Sequence, residues 1–457
     1  MRENSTLKLA KFITELEFED LQQNTIDKAK MVIIDYLSAI LAGHDKSSLL
    51  SDKLIELILQ NGGVEEATII GTKEKVPLIN AAFANGVLSH VVELDDGHRL
   101  AKGHPGVVVV SSALPTAEYL GSTGKDLITA IVAGYDVFVR IASSVNPSHL
   151  NRGFHTTGTC GTFAAATAAA KLLKLNELET ANALGLAGIQ AAGLLEVTID
   201  GQMAKALHPG KAAYGGVLSA VLAKQGVQGP KSIIEGDKGF AKAMSDECDY
   251  ELMFKDINEK FLINDCYIKL YPSCRHTHAP VDSALDLLAN YDFKIEEINS
   301  ILIKTYPTAI SFAGKIFKPE NTESAKFSIA YCTCAALRFR NFGLKELEYL
   351  NDSVTLDLID KVKIEADESL ESLNPKIRGA EVCITLNDGR KLRKRIDLPK
   401  GEIENPVSKK ELIKKFYSCT DNYFEDKYRR KIVESIFNID KLIDVGDFVT
   451  SLSSSMQ

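Results

Sequence analysis

The 457-residue sequence has no apolar run long enough to span a bilayer: windows such as Val107 to Leu114 and Val217 to Ala223 fall well short of the ~20 residues needed. A basic excess is missing too. With a net charge of −8 and a pI near 5.7, no broad cationic face is available to nucleic acid, so any anionic ligand must be gripped locally. No Gly-x-Gly-x-x-Gly follows a strand pattern and no Gly-x-x-x-x-Gly-Lys-Ser/Thr occurs, which leaves nucleotide binding without a signal. The eight cysteines are scattered, and only Cys332 and Cys334 lie close together. That spacing is not the Cys-x-x-Cys of a zinc ribbon or ferredoxin-like cluster, so they read as reduced core thiols. There is no His-Glu-x-x-His and no nucleophile motif. Met1 to Thr6 leads directly into an amphipathic pattern with acids, without the features of a signal or transit peptide, and a cytoplasmic protein is expected.

What is present points to a helical protein of more than one domain. Hydrophobic content of 45% and charged content of 25% are ordinary for a globular chain, and the length exceeds one average core. Leu7 to Ala42 reads as two packed helices, Ser48 to Leu59 as a third, and Ala67 to Gly71 as a short β-like run. Helices follow at Pro77 to Leu88, Val107 to Leu120, Lys125 to Ser144, Gly153 to Leu173, Asn176 to Ala192 and Gly210 to Gln225. The Ala-rich body after His155 predicts a buried central helix, since small residues let neighbours approach closely. Such unbroken helix marks an all-α domain rather than βαβ units. Near Lys260 the pattern changes. Cys266 to Leu270, Ile298 to Tyr306, Val362 to Ala366, Ala380 to Leu386 and Lys391 to Leu398 read as strands, with helices at Val281 to Ala289 and Ala325 to Leu337. Asn387-Asp388-Gly389 is a strong hairpin turn. Helices return at Ser408 to Ser418 and Phe424 to Phe437. The fold class expected is mainly α: an all-α domain of residues 1–262 and 400–457, with an α+β domain of residues 263–399.

Chemistry concentrates in His90 to Gly106, which packs three acids, three of the nine histidines, Arg99 and Lys102 between two apolar helices. Polar loops on rigid scaffolds are where function tends to sit, and Gly103-His104-Pro105-Gly106 constrains the backbone around one imidazole. Further candidates are His155, Lys205, His208 and the run Tyr271-Pro272-Ser273-Cys274-Arg275-His276-Thr277-His278. These supply imidazoles for proton transfer near neutral pH and cations for anionic groups. Each has a bland alternative: His155 as a helix-entry residue, His208 as a turn residue before Pro209, Lys205 as a solvated lysine. On a strand, His276 and His278 would share a face. A nitrogen and oxygen metal site from His104, His276, His278 and Asp95 or Asp96 competes, but without short-spaced ligand pairs it ranks below metal-free acid–base work.

The sequence resembles the MmgE/PrpD family, whose members include 2-methylcitrate dehydratase, cis-aconitate decarboxylase and iminodisuccinate epimerase. The resemblance covers nearly the whole chain. It rests on Ala84-Asn85-Gly86 through His90, Leu94-Asp95-Asp96, His104-Pro105, Gly153-Phe154-His155, and Lys205-Ala206-Leu207-His208 with Gly210. It continues in Tyr271-Pro272-Ser273-Cys274 with Thr277-His278, Ala325-Lys326-Phe327-Ser328, and Pro399-Lys400-Gly401 with Glu404-Asn405-Pro406. It implies a helical domain built from both ends of the chain, an α+β lid, a homodimer and an active site in the interdomain cleft without metal or other cofactor. Carried over by position, the catalytic set is Asp95, His104, His155, Lys205 and His278. The decarboxylase branch differs: it has an aspartate where Glu93 stands, a threonine where Gly97 stands, and no Arg-His pair before Thr277-His278.

The reading that follows is a cofactor-independent lyase, first a dehydratase of a small hydroxy-polycarboxylate. An epimerase and a decarboxylase are the alternatives in kind, and a non-catalytic carboxylate-binding or scaffold protein is the rival. His104 and His155 are the acid–base candidates, and Asp95 would orient an imidazole. Lys205, His278 and Arg275 would hold carboxylates, Arg275 as a bidentate fork. Lys102, His276 and Ser273 complete the expected substrate-binding set.

Overall fold

The computed structural model describes residues 3–45, 49–198 and 203–454; Ser48, where the third helix was expected to start, lies outside them. Two apolar cores organise these residues. One gathers buried side chains from Leu9 to Ile268 and again from Val407 to Leu452. The second runs from Val281 to Leu392. The molecule is mainly α, with a smaller α+β region.

The first core is built around Thr156–Leu172, in which every residue except Lys171 is buried. Its sequence of alanine, threonine and glycine explains that position: a Cβ on Gly216 of the neighbouring helix Leu207–Lys224 would lie 2.3 Å from the Ala165 Cβ. Gly124–Val145 packs beside it and is long and apolar enough to cross a membrane, yet its apolar window is wholly buried. This run was not among the long apolar windows singled out in the sequence, because Lys125, Asp126, Asp136 and Arg140 interrupt it. Asp136 and Arg140 pair inside the protein, Nε to Oδ1 at 3.0 Å. The helical body also carries a two-strand antiparallel pair, β1 (Ala67–Thr68) and β2 (Lys75–Val76).

In the α+β region, β3 (Ile298–Thr305), β4 (Val362–Ala366), β5 (Ala380–Leu386) and β6 (Lys391–Ile396) form one sheet in the order β4-β3-β5-β6. The β3–β4 pair is parallel and the other two are antiparallel. Ile301, Ile303, Val382 and Ile384 turn into the core with His278–Asn290 and Ile329–Phe339. Gly389, at φ 88°, makes the β5–β6 turn.

Two expectations are corrected. Cys266 to Leu270 is not a strand: it makes a single bridge, Tyr267 to Gly97, against the polar loop. Its apolar composition serves burial between elements, not a ladder. His276 and His278 do not share a strand face either, because Arg275–Thr277 is a 3-10 turn running into the helix that starts at His278. Neighbours two apart then point in different directions.

Candidate active site

A cavity of about 130 Å³ lies between the two cores, lined by the polar loop, His155 and Lys205 on one side and by Arg275, His276, Phe312, Phe327 and Arg378 on the other.

The polar loop is fixed from within. Asp96 accepts the Gly106 N–H at 2.9 Å at the start of Gly106–Leu120 and the Tyr135 hydroxyl at 2.8 Å. A Cβ on Gly106 would lie 2.7 Å from both of those side-chain oxygens, so glycine is needed there. His98 is buried, and its Nδ1 accepts the Ala101 N–H at 3.1 Å. It holds the turn and does not line the cavity.

Asp95 lies between two imidazoles. His90 Nδ1 is 3.0 Å from Oδ1, and His104 Nδ1 is 2.9 Å from Oδ2. His104 Nδ1 also sits 2.7 Å from the Asp96 carbonyl oxygen. A carbonyl only accepts, so Nδ1 carries the proton and Nε2 of neutral His104 is the free base. Burial alone would raise the Asp95 carboxyl, but His90, His104 and Lys269 outweigh it and hold it well below the usual range. Burial lowers His90 to about 4, keeping that ring neutral.

His155 caps Thr156–Leu172, and its Nδ1 lies 2.8 Å from Nδ1 of His208 in the first turn of Leu207–Lys224. One proton serves both nitrogens, so moving it swaps which nitrogen His155 offers elsewhere. Burial lowers both histidines, His208 to about 4. His104, His90, His155 and His208 form a file, with successive ring centroids 5.0, 6.3 and 5.0 Å apart.

Lys205 and Lys269 converge on Glu93. Lys205 Nζ is 2.6 Å from Oε2, and Lys269 Nζ is 3.1 Å from Oε1 and 3.0 Å from the Glu93 carbonyl. Burial would raise the Glu93 carboxyl, yet the two lysines hold it well below the ordinary range. Two ammonium groups on one carboxylate leave a net positive charge beside His104 Nε2, which is 3.8 Å from Glu93 Oε1.

The structure brings His104, His155 and Lys205 to the cavity, with Lys102 and His276 on its wall; Asp95 is buried behind His104 and does not line it. Other candidates are placed elsewhere. His278 is fully buried and does not line the cavity. Its Nδ1 accepts from Arg275 at 3.0 Å, and its Nε2 lies 3.3 Å from the Ser273 carbonyl. Ser273 is also fully buried, its hydroxyl 2.7 Å from that of Thr277. Arg275 borders the cavity, but its donors go to Glu402, Lys400, Pro399 and His278. No fork is left for a ligand.

Lys269, Tyr267 and Arg378 also belong to the site and were not singled out in the sequence, whereas His208 was a named candidate and His90 and Glu93 lay in the polar stretch without an assigned role. A lysine inside the apolar run Cys266 to Leu270 was the one available signal for Lys269; nothing marked Arg378. His90, Asp95 and His104 are also the described group whose ligand atoms lie within 4.8 Å of one another. A cation there would have to displace the Nδ1 protons that bind Asp95.

Residues 7–253 match the MmgE/PrpD N-terminal domain and residues 271–439 the MmgE/PrpD C-terminal domain. Similar curated proteins include a cis-aconitate decarboxylase of Aspergillus terreus, 24% identical over 98% of this chain and 96% of that protein. The cis-aconitate decarboxylase of Homo sapiens is 25% identical over 99% and 95%, and that of Mus musculus 26% over 98% and 92%. With both domains of the family matched in order around this cavity, the chain belongs to the MmgE/PrpD family.

Proposed function

We propose that the protein is a cofactor-independent lyase that removes water from a small hydroxy-polycarboxylate of the 2-methylcitrate kind. The observation that carries this reading is the fixed tautomer of His104. Its Nδ1 proton is held by the Asp96 carbonyl, with the Asp95 carboxylate 2.9 Å away, which leaves Nε2 as the base beside the Lys205–Glu93–Lys269 group. His104 would take the proton next to a carboxylate, and Lys205 would stabilise the enolate-like charge that develops. His155, with Nδ1 accepting from His208, would present Nε2–H to the departing hydroxyl. The proton it gives up is replaced through His208, which is half-buried.

Decarboxylation of a cis-aconitate-like acid is the second reading, supported by the names of the full-length relatives. It needs the same cationic cradle for the carbanion left when carbon dioxide departs. The polar loop argues for a different substrate. A Cβ at Gly97 would lie 2.3 Å from the Tyr267 hydroxyl, so the threonine of the decarboxylase branch does not fit against this tyrosine.

The test is incubation of the purified protein in deuterated water with citrate-like hydroxy acids, cis-aconitate and amino-dicarboxylates, following alkene absorbance, proton exchange and carbon dioxide. An alkene from a hydroxy acid without carbon dioxide is expected. Carbon dioxide from cis-aconitate would establish the second reading. Deuterated substrate with its mirror isomer and no alkene would make the protein an epimerase, and no exchange or conversion would favour a binding protein.

A further inference from the structure

Arg378 and Lys102 also line the cavity, and neither has a role in the acid–base chemistry. Arg378 is 8% exposed, and its guanidinium lies 5.5 Å from the Tyr267 ring centroid. Its NH2 group donates to the Arg99 carbonyl at 3.0 Å, and its buried Nε has no hydrogen-bond partner. Among the described residues no carboxylate lies within ion-pairing distance of it.

The neighbouring charges explain why. Arg275, stacked on the same ring at 4.8 Å, takes Oε1 of Glu402 at 3.0 Å. Arg99 takes Glu404 at 2.5 Å and stands 3.8 Å from Oε2 of Glu402. Three guanidinium groups therefore share two carboxylates: Glu402 also acts on Arg378, from beyond ion-pairing distance, together with Tyr267, and one positive charge of the trio is left over at the cavity.

Lys102 adds to that surplus. Its backbone is left-handed, at φ 51°, and burial and the Arg378 charge hold its ammonium below the ordinary range. The counter-charge acting on it is Glu371, whose oxygens are occupied by the Thr308 N–H at 2.8 Å, the Thr308 hydroxyl at 2.6 Å and the Asn374 amide at 3.2 Å. A buried cation without a partner is costly. A ligand anion would relieve that cost.

We propose that Arg378 and Lys102 form a second anion subsite, which takes a carboxylate remote from the reacting carbon, so that the enzyme selects acids with carboxylates at both ends over monocarboxylates. This rests on the lyase reading for the identity of the first subsite, at Lys205. Guanidinium suits the role because two parallel N–H donors match a carboxylate.

The test is equilibrium binding by calorimetry, using propane-1,2,3-tricarboxylate, which has no hydroxyl to eliminate, and butyrate as a monocarboxylate control. The parent is expected to bind the tricarboxylate at least tenfold more tightly than butyrate. Arg378→Gln should weaken tricarboxylate binding roughly 10- to 100-fold, as loss of a charge-assisted contact does, and leave butyrate unchanged. Arg378→Lys should recover part of the loss. Lys102→Gln, at a half-buried position, should give a smaller loss with the fold kept, so the proposal remains open to test should the arginine variants fail to fold. Tricarboxylate affinity unchanged in both Arg378→Gln and Lys102→Gln, or absent in the parent, overturns the subsite. Binding that depends on Arg378 in a protein that converts no substrate would overturn the lyase reading and leave the subsite standing. Turnover with KM unchanged in Arg378→Gln would do the reverse.

Discussion

Lys269 holds Glu93 at two points, its ammonium 3.1 Å from the side-chain Oε1 and 3.0 Å from the same residue's main-chain carbonyl. Glu93 is left-handed, at φ 53°, a conformation that costs a non-glycine residue roughly 1–3 kcal/mol and persists only where the surroundings enforce it. Lys269→Met is expected to lower stability by about 1–3 kcal/mol, because the buried Glu93 main-chain carbonyl loses its donor while the carboxylate keeps Lys205, and to abolish turnover. Urea denaturation measures the first. The double variant Lys269→Met with Glu93→Gln also takes the counter-charge from Lys205, so it should be less stable than Lys269→Met alone. A loss equal to the sum of the single losses would mean the two residues are not coupled.

Asp95→Asn should fold and lose most activity. An amide in place of the carboxylate removes the negative charge that would stabilise His104 once it holds the abstracted proton, while the Asp96 carbonyl keeps the tautomer, so a loss of about 10²–10⁴ in rate is expected. His104→Ala, His155→Ala and Lys205→Ala should each lose about 10²–10⁴, as removal of one positioned proton-transfer group does. Steady-state rates near parental in all four would show that the chemistry lies elsewhere.

Arg275→Lys and His278→Gln are expected to behave differently. Their polar atoms bond to Glu402, Pro399, Lys400 and the Ser273 carbonyl, so the loss should appear as a lower melting temperature, with KM within a fewfold of parental. A KM raised a hundredfold at unchanged melting temperature would return Arg275 to the role of a carboxylate fork.

Acid should destabilise the protein through its buried histidines. His149 is lowered to about 4 by burial; its ring bonds the Met244 carbonyl at 3.0 Å and the Thr159 hydroxyl at 2.7 Å. Unfolded histidine binds its proton near 6.5. Its stabilisation is therefore complete above pH 6.5 and is lost as pH falls towards 4. Asp96 acts in the opposite sense: burial raises it to about 7, so the folded chain keeps a proton that the unfolded chain gives up above about pH 4, and stability falls as pH rises from 4 to 7. His149→Gln should shrink the drop in urea midpoint between pH 6.5 and 4, and Asp96→Asn should raise the pH 7 midpoint relative to pH 4. Profiles parallel to the parent's would rule out these two groups.

Exhaustive chelation should leave turnover intact, because the closest set of metal-ligating atoms is already committed to bonds between His90, Asp95 and His104. Activity lost with chelator and restored by one added metal would replace the acid–base scheme.

Much of this architecture was legible. The small-residue helix after His155 announces its burial, and Asn387-Asp388-Gly389 announces the β5–β6 turn, because both signals are local. His104 and His155 were visible as scarce histidines and Lys205 as a charge among apolar neighbours, while Asp95 came from the polar stretch and the family motif it carries. Lys269, Arg378 and the inward commitment of Arg275 were not, since the charge available to a ligand depends on which carboxylates across the fold have already been taken. Arg275 and Arg378 stack on the same tyrosine, and only their partners tell them apart.

Lys415 donates to Asp35 Oδ1 at 2.5 Å across 380 residues of sequence, and to the carbonyls of Leu94 and Lys269 at 2.7 and 2.8 Å. The ammonium that ties the polar loop to the first core therefore leaves the ribosome last. At about 5–20 residues per second, Asp35 waits roughly 20–75 s for it, and until then this seam cannot close. The window for chaperone capture or misassembly is set by the position of Lys415 in the chain, and a circular permutation bringing residues 400–454 ahead of Ser5 should shorten it.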